Sequence, residues 1–283
     1  MIDITKGRYW DLPWSLVESC TRCSPGCDHC WALAIEKRFG KGYEDQVFAH
    51  DGRLSIPLKR RKPAVYSVWN DFFHGAIDHS FRCDAYKTMM RTDYRHTYLI
   101  LTKRADFAAN YAQSFNNIWH GLTVCNQAEA DAKIPVFLQV PGKKFLSLEP
   151  LLGPIDITMA LEEFQPLNPD LSRKPAPIDA VILGGETGPG ARPMHPDWVR
   201  SIRDQCAAAG VPFFFKGWGE WFPEEMATDH QLTKQPRHER FYPSCVKPKK
   251  VIRHIIMACV GKRESGRLLD GRTHDELPWV TAP

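Results

Sequence analysis

Short apolar runs alternate along the chain with longer stretches of helical periodicity. Seven of these runs are rich in branched and aromatic residues and end at proline, glycine or polar residues, which predicts β-strands. The predicted strands cover residues 14–19, 64–69, 97–102, 118–124, 144–148, 180–183 and 212–216. Amphipathic stretches between them predict helices over residues 31–38, 80–91, 105–114, 127–139 and 196–209.

Repeated strand–helix units predict an α/β fold with a parallel sheet and right-handed crossovers, which either closes into a barrel or carries helices on both faces. Six or seven strands favour a partial or distorted (β/α) barrel over residues 1–221. Residues 222–283 are predicted to form a C-terminal extension that packs on this barrel. Residues 39–62 and 162–177 interrupt the pattern, and we interpret them as an insertion and a loop.

Polar, charged or metal-binding residues follow every one of the seven predicted strands. In parallel α/β barrels the functional groups lie just after the C-terminal ends of the strands. We therefore expect these residues to converge on one mouth, as they do in an enzyme. They are residues 20–30, Asn70, Asp71, Lys103, Arg104, Cys125, Asn126, Glu149, Gly184, Gly185, Glu186 and Lys216.

Composition narrows the class of protein. With 283 residues, 43% of them hydrophobic, the chain is long enough to bury a substantial core. A net charge of +4 permits a phosphate-bearing substrate but is far below that of a protein that coats DNA. The N-terminus lacks a signal pattern and no apolar run approaches the roughly 20 residues of a membrane span, so we expect a cytoplasmic protein without membrane contact.

Four of the nine cysteines fall within eleven residues, at Cys20, Cys23, Cys27 and Cys30. In a reducing compartment such a group indicates metal binding or catalysis rather than disulfides. The last three have the spacing C-x3-C-x2-C, and Cys20 with the last two has the spacing C-x6-C-x2-C. Three thiolates can hold an iron–sulfur cluster and leave one iron open. A structural zinc site and unligated thiols are the alternatives, although separate zinc knuckles normally lie further apart.

The C-x3-C-x2-C spacing after a first barrel strand resembles the signature of the radical S-adenosylmethionine superfamily. The resemblance implies a [4Fe-4S] cluster whose open iron is chelated by the methionyl group of S-adenosylmethionine. It also implies reductive cleavage of this cofactor to a 5′-deoxyadenosyl radical, with electrons from a donor such as a flavodoxin or a ferredoxin.

The chain more closely resembles a phage and bacterial family of unknown function typed on mycobacteriophage proteins. The resemblance covers nearly the whole chain and is carried by CTRCSPGCDHCW (20–31), LTKR (101–104), FLSLEPLLGPI (145–155), GGETGPGARPMH (184–195) and FFFKGWGEW (213–221). Two positions depart from that family's common pattern. Cys23 is an additional thiol, which leaves the third cluster ligand open between Cys20 and Cys23, and Cys125 stands where a glutamate is common.

Three groups of residues receive predicted roles beside the cysteines. The residues expected to bind the cofactor are Asn70, Asp71, Lys103, Asn126 and Glu149. The residues expected to bind the substrate are Gly184, Gly185, Glu186, Arg192 and Lys216. The expected catalytic groups are Glu149, Glu186 and Lys216. For Lys216, which ends an apolar run, a buried ion pair is the alternative interpretation.

The resemblance to phage proteins suggests a radical enzyme that acts on a modified base in DNA, such as an isomerase of an amino-acid-bearing thymine. Its compartment would be the cytoplasm of a bacterium or of a phage-infected host. Basic runs at residues 59–62 and 247–250 suit contacts with DNA phosphates, although solvated charge explains them nearly as well. A DNA photoproduct lyase and a non-catalytic cluster- or zinc-binding module that docks a partner protein are the alternatives.

Overall fold

Seven strands pair in parallel and form one curled sheet, which gives the chain an α/β half-barrel. This computed structural model describes residues 2–38, 46–162, 177–228, 237–241 and 255–280. Its strands are β1 (Leu12–Trp14), β2 (Val17–Glu18), β3 (Phe48–Ala49), β4 (Ala64–Val68), β5 (His96–Thr102), β6 (Ile118–Thr123), β7 (Lys143–Leu148), β8 (Ala180–Gly184), β9 (Phe213–Gly217), β10 (Trp221–Pro223), β11 (Arg237–Phe241) and β12 (Ile255–Cys259).

The order of strands in the main sheet is β1-β4-β5-β6-β7-β8-β9, so strands that follow one another along the chain lie side by side. Strands β2 and β3 form a separate antiparallel pair within the segment that joins β1 to β4. Because all seven strands of the main sheet run the same way, their C-terminal ends meet at one edge. The partial (β/α) barrel expected from the sequence is therefore present.

Helices fill the connections between these strands. They are α1 (Trp31–Arg38), α2 (Ile56–Lys59), α3 (His79–Met90), α4 (Ala105–Tyr111), α5 (Gln127–Phe137), α6 (Thr158–Leu161), α7 (Pro196–Ala209) and α8 (Lys262–Ser265). Apolar side chains of α3, α4, α5 and α7 pack against every second residue of the strands, in one continuous core. None of the helices in the described part of the chain has the length and hydropathy of a bilayer span.

The predicted elements agree closely with these bounds. Six predicted strands coincide with β4 to β9 within one residue at each end, and the predictions for α1 and α7 are confirmed. The prediction of a strand over residues 14–19 is wrong. The chain pairs with β4 only as far as Trp14 and then turns into β2, where Ser19 has the left-handed φ of +66° that ends an extended run.

The concave face of the sheet is filled by both ends of the described chain rather than by helices. Tyr9 from the N-terminal segment and Trp279 from the C-terminal segment pack on the strand residues that point away from the helices. The indole of Trp279 donates to the backbone oxygen of Tyr9 at 2.8 Å. Gly121 makes this packing possible, because a Cβ at its position would lie 2.2 Å from the ring of Phe145.

A second, antiparallel sheet with the order β10-β12-β11 lies beyond the barrel. The predicted boundary between residues 221 and 222 falls inside β10, so this sheet begins one residue before it. After α8 the chain returns to the barrel, where Phe215 donates its backbone N–H to His274. The predicted insertion contains β3 and α2. Residues 39–45 and 163–176, which belong to the predicted insertion and loop, lie outside the described residues.

His120 makes the stability of this fold depend on pH. Burial within β6 lowers the pKa of His120 to about 4, although its ring Nε2 donates a hydrogen bond to the backbone oxygen of Gln113 at 2.9 Å. Between about pH 6.5 and pH 4, His120 is therefore protonated in the unfolded chain but neutral in the folded chain, so stability falls as the pH is lowered through this range. We expect this group to remove about 2 kcal/mol of unfolding free energy between pH 7 and pH 5. Urea unfolding at both pH values, compared with His120→Gln, measures the contribution; equal losses in both proteins would contradict it.

Candidate functional site

The four clustered cysteines lie on a loop, residues 20–30, that crosses the C-terminal edge of the main sheet. We call this segment the cysteine loop. A short 3-10 turn, Pro25–Cys27, forms its middle, and the hydroxyl of Ser24 caps it by accepting from the N–H of Gly26 at 3.1 Å. Gly26 sits directly on Cys125, which follows β6, since a Cβ on Gly26 would lie 2.4 Å from that sulfur. The loop is thereby seated on the barrel mouth.

Arg104, which follows β5, fixes the first half of the cysteine loop. Its guanidinium donates to the backbone oxygen of Thr21 at 3.0 Å and to the hydroxyl of Thr21 at 2.7 Å. The same group donates to Asp71 at 2.6 Å, in an ion pair whose side chains are 13% and 7% exposed. Asp71 also accepts from the hydroxyl of Thr102 at 2.6 Å. This network ties the loop to the ends of β4 and β5.

Glu186 and Arg192, which follow β8, fix the second half of the loop. Arg192 donates to the backbone oxygen of Pro25 at 2.9 Å and to the carboxylate of Asp28 at 3.2 Å. Glu186 accepts from Arg192 at 2.5 Å and lies 3.1 Å from the ring nitrogen of His29. Burial opposes the ionisation of Glu186, but hydrogen bonds from Arg192 and His29 outweigh it and hold its pKa below the usual range.

The four thiols have different surroundings. A hydrogen bond from the thiol of Cys23 lowers the pKa of Cys27 to about 5, against the effect of burial, and raises the pKa of Cys23. Burial and the charge of Asp71 raise the pKa of Cys20 to about 11. All four cysteines are free. Within the described residues, no three side chains of Cys, His, Asp or Glu are grouped so that they could hold a metal ion.

Lys103, which follows β5, interacts electrostatically with the cysteine loop. Burial disfavours its positive charge, but the negative charge of the sulfurs of Cys27, Cys125 and Cys30 outweighs burial and raises the pKa of Lys103 above its usual value. Lys103 in turn helps to lower the pKa of Cys27. The lysine therefore favours thiolate at Cys27, one of the two cysteines that both spacings share.

Lys216, at the end of β9, forms an ion pair with Glu149, at the end of β7. Its ammonium lies 2.6 and 2.8 Å from the two carboxylate oxygens. Lys216 is therefore paired, as the alternative interpretation expected, but the two side chains are 29% and 21% exposed rather than buried, and a catalytic role for Lys216 stays a prediction. The pair lines a cavity of about 420 Å³ beside Gly184 and Gly185. The other lining residues are Thr5, Lys6, Thr187, Gly217, Gly219, Lys262, Arg263, Gly266 and Arg267.

Tryptophans line the opposite side of the mouth. Trp31, directly after the cysteine loop, is 49% exposed and contacts Trp69 edge-on at 4.8 Å between ring centroids. Trp69 contacts Trp10 at 5.8 Å, and the guanidinium of Arg8 lies 5.3 Å from the Trp10 ring. Trp218 and Trp221, by contrast, are buried. Trp31 is therefore the exposed residue in a row of three tryptophans, Trp31, Trp69 and Trp10, whose rings contact one another in turn.

The structure brings most of the predicted site residues to one mouth but divides them between two tasks. Glu149, Lys216, Gly184 and Gly185 face the cavity. Asp71, Glu186 and Arg192 instead contact the cysteine loop or its anchor. The two predicted asparagines make local contacts. The side-chain amide of Asn70 donates to the backbone oxygen of Val17 at 2.8 Å, and the side chain of Asn126 caps the N-terminus of α5. Their roles toward a cofactor or substrate stay predictions.

The sequence did not identify several features that the structure places at the mouth. Cys125 was expected at the mouth from its position after β6, but nothing in the sequence indicated that Gly26 of the cysteine loop lies directly on its sulfur. Lys262, Arg263 and Arg267 reach the cavity from a segment with no strand–helix periodicity, so nothing in the pattern placed them there.

Comparison with known proteins yields a family but no characterised relative. A family described as a protein of unknown function, DUF5131, matches residues 4–278. No curated protein matches the chain, and no solved structure does.

Proposed function

The chain belongs to the DUF5131 family of proteins of unknown function, and from that premise we propose that it is a radical S-adenosylmethionine enzyme. One observation carries the proposal: a loop with four free thiols is seated over the C-terminal ends of a parallel half-barrel. In barrels of this kind the chemistry takes place at that edge. We place the enzyme in the cytoplasm of a bacterium or a phage-infected host, with a flavodoxin or ferredoxin as electron donor.

The donor chemistry of the cysteine loop fits an iron–sulfur cluster. Thiolates are the ligands that such clusters require, and Lys103 together with the thiol of Cys23 favours the thiolate of Cys27. Cys27 and Cys30 are the proposed shared ligands, with Cys20 or Cys23 as the third. Because the thiols are not grouped for a metal as they stand, binding requires the loop to draw them together. A reduced [4Fe-4S] cluster with bound S-adenosylmethionine supplies a 5′-deoxyadenosyl radical.

The protein's own residues orient the loop, favour thiolate and line the substrate space. Arg104 and Arg192 anchor the two halves of the cysteine loop at the mouth through hydrogen bonds to Thr21 and Pro25. Asp71 and Glu186 orient these two arginines. The ammonium of Lys216 donates hydrogen bonds to both carboxylate oxygens of Glu149. At the edge of the cavity, Lys216 can therefore give a proton to a substrate and Glu149 can take one.

We further propose a base in DNA as the substrate, with isomerisation of a modified thymine as the working reaction. The exposed ring of Trp31 at the mouth supports this, because aromatic side chains stack on nucleobases without requiring a particular sequence. The exposed cations Lys59, Arg61 and Lys62 precede β4 and therefore lie at the N-terminal edge of the sheet, away from the mouth, so they add no support for DNA bound at Trp31. The second basic run, residues 247–250, lies outside the described residues.

Replacing Trp31 with alanine tests the DNA part of the proposal. Stacking of one base on an aromatic ring is worth about 1–3 kcal/mol, so we expect affinity for a single-stranded oligonucleotide to fall by roughly 5- to 150-fold. Fluorescence anisotropy at low and high salt measures this. Tyr94→Ala removes an aromatic ring that is 74% exposed on another part of the surface and is the control. Equal affinities for Trp31→Ala and wild type, or affinity indifferent to salt, would contradict DNA as the ligand.

Anaerobic purification distinguishes a cluster from the alternative, a zinc-binding or thiol-only module that docks a partner. We expect brown protein that contains iron and acid-labile sulfide in comparable amounts. Colourless protein with stoichiometric zinc would overturn the proposal, and so would protein that takes up neither metal after reconstitution.

A further inference from the structure

The cavity beside the Glu149–Lys216 pair has the size and charge of a binding site for a phosphate-bearing ligand. Its volume of about 420 Å³ lies within the range of pockets that enclose small ligands, roughly 300–1,000 Å³. It opens between the ends of β7, β8 and β9 on one side and the segment from α8 to Arg267 on the other. The anchors of the cysteine loop, Arg104 and Arg192, do not line it.

The charges around this cavity do not balance. Five of its lining side chains are cationic: Lys6, Lys216, Lys262, Arg263 and Arg267. One lining side chain, Glu149, is acidic.

Three of the cations have carboxylate partners. Lys216 pairs with Glu149, Lys6 pairs with Asp3 at 3.0 Å, and Arg267 pairs with Asp275. Among the described residues, the side chains of Lys262 and Arg263 form neither an ion pair nor a hydrogen bond. Two uncompensated positive charges therefore remain at the rim of the cavity.

The turn that carries these two cations is held firmly in place. The hydroxyl of Ser265 donates to the backbone oxygen of Gly219 at 2.6 Å, and the backbone N–H of Lys262 donates to Glu220 at 3.2 Å. Gly266, which follows, faces open space, since a Cβ at its position would have no atom within 4 Å. A ligand can thus approach the backbone there while the cations stay on a fixed support.

We propose that this cavity binds a ligand that carries a phosphate, with Lys262 and Arg263 contacting the phosphate oxygens. An arginine can bond a phosphate through two parallel N–H groups, and a lysine adds a point charge. The Glu149–Lys216 pair at the inner wall offers both donors and acceptors to the uncharged part of the ligand. The identification of this ligand with the substrate rests on the proposed function; the phosphate site itself does not.

Titration calorimetry with thymidine 5′-monophosphate and with thymidine tests the site on the full chain. We expect the monophosphate to bind at least about tenfold more tightly, the equivalent of 1.4 kcal/mol. The double variant Lys262→Glu/Arg263→Glu should abolish this preference. Lys87→Glu/Arg91→Glu, which reverses two exposed cations at the end of α3, is the matched control and should retain it.

Each outcome decides the inference. Equal affinity for nucleotide and nucleoside, a preference unchanged in Lys262→Glu/Arg263→Glu, or no binding of the monophosphate or of a short oligonucleotide would overturn it. If the oligonucleotide displaces the monophosphate, the phosphate belongs to a DNA strand; if it does not, the ligand is a free nucleotide. Binding requires no cluster, so phosphate preference without cleavage of S-adenosylmethionine would leave this site standing and refute the proposed function.

Discussion

Replacing Cys27 or Cys30 with alanine is expected to remove most of the iron that the wild-type protein retains after anaerobic purification. Both spacings of the cysteine loop include these two thiols, and Lys103 lies among them. Each supplies one of three ligands in the proposed cluster, so the loss of either leaves too few thiolates to hold it. Iron and sulfide analysis, together with the visible absorption of the cluster, measures the effect.

Two further variants identify which cysteine is the third ligand of the proposed cluster. Cys20→Ala and Cys23→Ala should differ sharply, because only one of these thiols is required. Cys83→Ala removes a partly exposed cysteine on α3, far along the chain from the cysteine loop, and should retain full iron. Wild-type iron content in either Cys27→Ala or Cys30→Ala would refute a ligand role for that residue.

Replacing Arg104 with methionine is expected to destabilise the fold and to weaken retention of the cluster together. The change leaves Asp71 buried without its cation, and such broken pairs typically cost about 3–5 kcal/mol. It also removes two hydrogen bonds to Thr21, so the first half of the cysteine loop loses its anchor. Urea unfolding measures the first effect and iron content after gel filtration measures the second.

Two control variants separate these effects. Lys87→Met breaks an exposed pair with Asp84 and should cost no more than about 1 kcal/mol, with full iron content. The double variant Asp71→Asn/Arg104→Met removes the uncompensated charge and should recover part of the stability, but not the iron. An Arg104→Met protein with wild-type stability and iron would contradict the anchoring role.

The strands and helices of the barrel followed from the sequence because each carries its own local signal. Apolar runs bounded by turn residues located β4 to β9 within one residue, and amphipathic periodicity located α7 over residues 196–209. The first strand was misplaced because residues 14–19 are apolar on both sides of a turn. The turn after Trp14, where the N–H of Leu16 donates to the backbone oxygen of Trp14 at 3.0 Å, leaves no mark in a hydrophobic pattern.

The mouth of the barrel could be predicted as a set of positions but not as a set of contacts. Their positions at strand ends correctly predicted that Glu149 and Lys216 lie close together. They stand at the ends of β7 and β9, which are separated by β8 in the same sheet. Glu186 and Arg192 were expected to face the substrate, yet they bond to the cysteine loop some 160 positions away. Such pairings depend on how the loop folds across the sheet, which spacing along the chain does not specify.

The cavity illustrates a second limit. Lys262 and Arg263 lie in a region that the periodicity assigned only to a C-terminal extension. They reach the mouth because α8 is bonded to the segment after β9, through Ser265 to Gly219 and through the backbone of Lys262 to Glu220. Those contacts join positions more than 40 residues apart and have no local signature.

Reductive cleavage of S-adenosylmethionine tests the central claim most directly. The reconstituted, reduced full-length protein is incubated anaerobically with S-adenosylmethionine, and 5′-deoxyadenosine is quantified by chromatography. We predict that 5′-deoxyadenosine and methionine accumulate in equal amounts with the wild type and not with the Cys27→Ala protein. An iron-loaded wild-type protein that forms no more 5′-deoxyadenosine than Cys27→Ala would contradict the proposal.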